Sequence, residues 1–200
     1  MLSQGRRLPF KTDYLKGRSI MQTKTRYLHS KIQKLTVSAM CLALCLVLPF
    51  LTGQIPQIGS SLCPMHLPVF LAGFLCGPIW ALTVGLTAPL LRHFLFSMPP
   101  ILTAIAMSAE LAAYGAVSGW LYRKLPRNLP GIYASLIGAM ILGRILWGIV
   151  RILMTGVSGE AFTWAMFLAG AFTNAIPGIL IQLILIPVLV SALRKANILE

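Results

Sequence analysis

Apolar residues fall into six long runs, separated by short segments rich in Gly, Pro, Ser or basic residues. The first run is Ile32–Leu51. It is followed by Thr52–Pro64, polar and uncharged. A shorter run, Met65–Cys76, ends at Gly77-Pro78. Ile79–Phe96 stops at Ser97-Met98-Pro99-Pro100, and Ile101–Tyr122 stops at the basic loop Arg123–Pro130. Gly131–Met154 leads to a short Gly/Ser loop, Thr155–Glu160. The last run, Phe162–Leu193, has room to tilt or to kink at Pro177 or Pro187. A helix needs about 20 apolar residues to cross the hydrocarbon. The pattern predicts an all-α polytopic membrane protein with six transmembrane helices, of which the second is the shortest. Residues 1–31 read as a basic tail and 32–195 as one membrane domain.

Composition agrees. Hydrophobic residues make up 57% of the chain and charged ones 10%, against about 25% charged in soluble domains. The formal charge of +13 has a specific geography. Arg6, Arg7, Lys11, Lys16, Arg18, Lys24, Arg26, Lys31 and Lys34 precede or open the first run. Arg123, Lys124 and Arg127 sit in the fourth–fifth connection, and Arg194 and Lys195 follow the last run. With six crossings all of these share one side, and the connections of the other side carry no Lys or Arg. Cytoplasmic loops collect Lys and Arg, so both termini are expected in the cytoplasm. The N-terminal basic stretch runs straight into an apolar segment, and nucleic-acid binding is not expected. A cleavable secretory signal is not expected either, because the basic stretch is too long and no small-residue cleavage site follows.

The remaining basic residues, Arg92, Arg144 and Arg151, lie inside the runs, as do His93 and Glu110. A charge in the bilayer is costly unless it is paired or faces water, so each is a candidate functional residue. Glu110 falls about 15 Å into the fourth run and Arg144 near the middle of the fifth. Arg144, Trp147 and Arg151 are spaced to share one helix face. That face would line an outward-open pocket for a small anion such as a carboxylate. Two structural alternatives stand beside it: Glu110 neutralising Arg144 or Arg92, and Arg151 reaching the interface. Asn174 is a further polar candidate, with a helix–helix hydrogen bond as its alternative. Gln54, Gln57 and Ser60 are placed to cover such a pocket.

Catalysis and metal binding find little support. Gly156-Val157-Ser158-Gly159 has the GxSG form of rhomboid proteases, but no histidine follows Ser158 to act as its base. No GxxxxGK[ST] phosphate loop occurs. Asp13, Glu110, Glu160 and Glu200 are too dispersed for paired acid–base work. The four cysteines form no CxxC, and His29, His66 and His93 are scattered, so no metal and no cofactor is expected. Small residues recur four apart at Ala39/Ala43, Gly73/Gly77, Ala81/Gly85 and Gly115/Gly119, a spacing that lets helix backbones approach closely.

The stretch Pro64-Met65-His66-Leu67-Pro68-Val69-Phe70-Leu71-Ala72-Gly73-Phe74-Leu75-Cys76-Gly77-Pro78 resembles the second-helix signature of substrate-binding S components of energy-coupling factor (ECF) transporters. Ala88-Pro89-Leu90-Leu91, Ser97-Met98-Pro99-Pro100 and Glu110-Leu111-Ala112-Ala113-Tyr114-Gly115 extend the likeness in the same order, as does Gly119-Trp120-Leu121-Tyr122. The nearest group is the pantothenate-type S components, from which Arg92-His93 departs. The resemblance implies a non-enzymatic subunit that binds a water-soluble vitamin from outside. It implies docking on a transmembrane coupling protein (EcfT-like) powered by two cytoplasmic ATPases. Docking in the family uses an Ala-x-x-x-Ala pattern on the first helix, which Ala39 and Ala43 match. The family's ligand lies beneath the first outer loop, near the expected positions of Arg144, Trp147, Arg151 and Asn174. A self-sufficient secondary transporter of a small organic anion is the alternative. It would need a coupling-ion site, for which Glu110 is the obvious carboxylate. No repeat of one half in the other supports it.

Overall fold

The computed structural model describes residues 31–52, 61–158, 168 and 175–196. The chain divides into two units, Met1–Thr36 and Val37–Glu200. Of the first, residues 31–36 are described and are helical, with the Thr36 hydroxyl donating to the Ile32 carbonyl. The rest concerns the second unit.

All described secondary structure is helical. We number the helices in chain order. The first, α1, is described over residues 31–47 and tightens into a 3-10 turn at Leu48–Thr52. Then come α2 at His66–Cys76, α3 at Pro78–Phe96, α4 at Ile101–Lys124, α5 at Leu129–Ser158 and α6 at Ile176–Lys195. Among the described residues, five helical segments are long and apolar enough to cross a membrane, Lys31–Leu51 and then α3 to α6. The expected sixth crossing, α2, has only 11 residues, about half of what the hydrocarbon requires.

Two further boundaries differ from the sequence reading. The predicted loop from Thr155 is helical as far as Ser158. There the Thr155 hydroxyl bonds back to the Arg151 and Ile152 carbonyls, which keeps its polarity inside the helix. In the last run, helix α6 begins at Ile176, so Pro177 stands in its first turn, where proline's missing N–H matters least. Only Pro187 lies in the interior of that helix.

Polarity is reversed relative to a soluble bundle. Leu86, Leu102, Ile105, Ile145, Ile149, Leu153, Ile184 and Val188 are exposed, while Glu110, Arg144, Gln182, His66 and Ser118 are buried. That is the arrangement hydrocarbon demands.

Helix α4 is the hub, packed against α2, α3 and α5. The small-residue pairs make this possible. A Cβ built on Gly115 would stand 2.6 Å from the Ala81 carbonyl oxygen, and one on Gly119 would stand 2.8 Å from the Gly73 carbonyl oxygen. One on Gly85 would run into the Leu111 backbone. Backbones this close gain dispersion energy where no hydrophobic effect exists between helices. Ala39 and Ala43 are different: both are exposed.

Arginines tie the ends. Arg123, in the last turn of α4, donates to the Cys76 carbonyl at 3.2 Å, at the left-handed Gly77 that ends α2. Helices α2 and α4 therefore run in the same direction. Arg194, in the last turn of α6, donates to the Arg127 carbonyl in the α4–α5 connection. Cations at helix C-termini also complement the helix dipole. One end of the bundle thus carries Arg123, Lys124, Arg127, Arg194 and Lys195.

This packing makes a graded prediction. Gly115→Ala gains helix propensity of about 1 kcal/mol but forces α3 and α4 apart, for a net loss of about 1–3 kcal/mol. Gly138→Ala meets only the flexible Leu121 side chain at 2.9 Å, so it is neutral or mildly stabilising. Thermal unfolding of the two purified variants in detergent distinguishes them; equal midpoints would contradict the close-packing account.

Candidate functional site

The short helix α2 has a structural consequence. Its C-terminus shares an end with α4, and it is 11 residues long against 24 for α4. Its N-terminus therefore opens inside the bundle, level with Glu110 and about 14 Å short of the far end of α4. Ser61 and Leu62 are helical, Cys63 takes a positive φ of 48°, and a turn at Pro64-Met65 delivers the chain to His66. The His66 amide closes this turn on the Cys63 carbonyl at 3.1 Å. Gly178, in the first turn of α6, lets that helix approach: a Cβ there would stand 2.7 Å from the Ser61 carbonyl oxygen.

The polar centre of the bundle lies at this level. Glu110 of α4 is 2% exposed. Its Oε1 accepts from the Tyr114 hydroxyl at 2.8 Å and pairs with Arg144 Nη1 of α5 at 3.0 Å. His66 Nε2 stands 3.7 Å from the same oxygen, beyond hydrogen-bond length. Cys63 is within hydrogen-bonding reach of Arg144. An aromatic wall completes the group. The Phe70 ring stacks on Tyr114 with centroids 4.9 Å apart, and the His66 ring tilts against Tyr114 at 5.3 Å. The α2 N-terminus adds its partial positive charge on the side facing the carboxylate.

The residues singled out from sequence divide among separate sets. Glu110 and Arg144 meet. Trp147 and Arg151 meet one another, with the Arg151 guanidinium 5.9 Å from the Trp147 ring centroid. Both are half-buried, while Ile145, Leu146 and Ile149 face outward. Arg92 is engaged elsewhere. It is buried, donates from Nη1 to the Leu46 carbonyl at 2.5 Å, and lies over the rings of Phe50 and Phe96 at 4.9 and 5.4 Å. These contacts join the end of α1 to α3, satisfying a C-terminal helix carbonyl with a cation. Asn174 lies outside the described residues, as do Gln54, Gln57 and Ser60.

Sequence reasoning missed His66 and Tyr114. Tyr114 had a local signal, since it follows Glu110 by four residues and so shares its face. His66 had none, because Glu110, the carboxylate it stands beside, is 44 positions away and the intramembrane start of α2 is visible only in three dimensions. Among the described residues, no group of His, Cys, Asp and Glu could hold a metal ion.

The ion pair makes a second prediction. Glu110→Gln strands a buried guanidinium and lowers stability by about 3–5 kcal/mol. Adding Arg144→Met removes the orphaned charge and restores part of that loss. Denaturation of the single and double variants measures the coupling; additive losses would show that the pair is not a unit.

Residues 33–190 match the family model described as ECF transporter, substrate-specific component. Compared with curated proteins and with solved structures, the chain finds no match.

Proposed function

From the chain's membership of the family of substrate-specific components of ECF transporters, we propose that it captures a water-soluble vitamin, with pantothenate the first candidate, at the outer face of a bacterial cell membrane. In this reading the chain crosses the membrane six times, with both termini cytoplasmic. The short α2 and the Ser61–Met65 segment before it together make one crossing. The basic end formed by Arg123, Lys124, Arg127, Arg194 and Lys195 faces the cytoplasm, in keeping with the distribution of Lys and Arg across bilayers. The subunit is not an enzyme. It hands its cargo to a transmembrane coupling protein driven by two ATPases.

One observation carries the binding reading. A buried cluster of Glu110, Arg144, Tyr114 and His66 sits at the intramembrane start of a short helix, in a bundle otherwise apolar outside and closely packed within. Charged groups at such depth mark ligand or ion pathways. The Arg151–Trp147 pair lies about two helical turns further along α5, toward the outer end, and forms the mouth of the site. The secondary-transporter alternative is weaker for a physical reason: Glu110, its intended coupling-ion ligand, already accepts from Arg144 and Tyr114.

Ala39 and Ala43 are the proposed docking contacts. Both are exposed on α1, where the other small-residue pairs are consumed by internal packing.

Calorimetry of the purified chain against a panel of water-soluble vitamins, pantothenate included, tests the capture function. One tight binder is expected, and a panel without any binder would overturn the vitamin reading. Arg151→Ala or Trp147→Ala should weaken that binder at least about tenfold, equivalent to about 1.4 kcal/mol, with little change in thermal stability. Ala39→Leu with Ala43→Leu should leave the affinity intact but abolish uptake in cells. Undiminished assembly of this variant with the coupling protein would exclude the α1 docking face.

A further inference from the structure

The histidine at the start of α2 is buried more deeply than its interactions explain. His66 is 2% exposed, yet among the described residues neither Nδ1 nor Nε2 has a hydrogen-bond partner, and Arg144 Nε has none either. The Glu110 oxygen nearest His66 is already taken by Arg144 and Tyr114, at distances well inside the 3.7 Å to the imidazole. Burying a polar group without a partner is costly, and more so in an apolar surround. The position of His66 is informative as well: the Ser61–Met65 turn brings it to the point where α2, α4 and α5 converge on one carboxylate oxygen.

We infer that His66, with Arg144 Nε, forms the subsite that reads a ligand's uncharged polar edge, one carrying a hydrogen-bond donor beside an acceptor, such as an amide or a hydroxyl next to a carbonyl. This deepens the capture reading and rests on it. The chemistry follows from the donors and acceptors present. A neutral imidazole offers one N–H and one acceptor nitrogen, and Arg144 Nε adds a second N–H. The charge of Arg144 is balanced by Glu110, so the centre is not a simple anion hole. A bare carboxylate would leave the imidazole's acceptor nitrogen unmatched, whereas an amide-like edge satisfies both kinds of group. The aromatic faces of Phe70 and Tyr114 beside His66 suit a ligand whose body is flat or apolar next to that edge. An anionic end of the same ligand would fall to Arg151 at the mouth, so the two ends of the cargo are read by different residues.

The test uses His66→Phe and His66→Gln in the full chain, with two readouts. The first is the thermal midpoint of the unliganded protein. A binding group held without a partner is a cost to the free protein, so His66→Phe should unfold at the same temperature or several degrees higher. A drop of several degrees would make His66 a structural partner of Glu110 and overturn the assignment. The second is calorimetry against the same vitamin panel, pantothenate included. The vitamin that binds the wild type should bind His66→Phe at least tenfold more weakly and His66→Gln at an intermediate level, because glutamine keeps one donor group and one acceptor. Equal affinity for wild type and His66→Phe overturns the subsite, as does a tight binder with no donor beside an acceptor. Failure of the capture reading looks different: no vitamin binds the wild type, and the midpoint of His66→Phe alone then decides whether the ring is structural.

Discussion

An ion pair inside a membrane bundle is the constraint on which the rest of this structure depends. Glu110 and Arg144 lie on the neighbouring helices α4 and α5, each near the middle of its span, 3.0 Å apart. Neither side chain would be stable at that depth alone. Their pairing fixes the rotation of α4 against α5, because turning either helix by one residue would leave a charge in hydrocarbon. The same rotation presents Gly115 and Gly119, on α4, to α3 and α2. Specificity of packing therefore comes from electrostatics, and closeness of packing from the small residues. Neither would suffice in a solvent as apolar as the leucines it surrounds.

Much of this was legible in the linear pattern. The segments α1, α3, α4 and α5 follow the apolar runs because hydrocarbon imposes a minimum length and forbids unpaired backbone. Glu110, Arg144 and Arg151 stood out because an ionisable residue in such a run is rare. Their partners were less legible. Arg92 and Arg144 look alike in sequence, yet one satisfies a helix carbonyl beside two phenylalanines and the other meets a carboxylate. Charge alone does not separate an arginine that ends a helix from one that lines a site; the neighbours across the bundle do. The short α2 had the opposite problem. Its run was visibly short, but the reason, a helix beginning within the bundle, depends on which end of it meets Arg123.

The Ala and Gly pairs show how burial can sort identical sequence signals. Four pairs share one spacing. Gly73/Gly77, Ala81/Gly85 and Gly115/Gly119 lie within the bundle, where a Cβ added to Gly73, Gly85, Gly115 or Gly119 meets backbone. Ala39/Ala43 leaves the same kind of surface exposed. A stripe that allows close backbone approach but is not used internally is available for another helix. In the proposed docking, the exposed pair would do between chains what the internal pairs do within the bundle.

A capture subunit has to be rigid where it reads its ligand, yet still let that ligand in. Here the two requirements fall on different parts of the chain. Helices α3, α4 and α5 hold Glu110, Tyr114 and Arg144 through close backbone contacts and a buried ion pair, an arrangement with few alternatives. His66 enters that frame on a helix that starts within the bundle, approached through a turn with a left-handed Cys63. A helix that begins in mid-bundle can place a side chain at depth without running a continuous span past it, and the irregular backbone at Cys63–Met65 leads directly into it. Irregular backbone at this depth is tolerated only where protein or a cavity surrounds it. The interruption that makes α2 too short to cross the membrane is thus the feature that lets the bundle carry a polar centre at all.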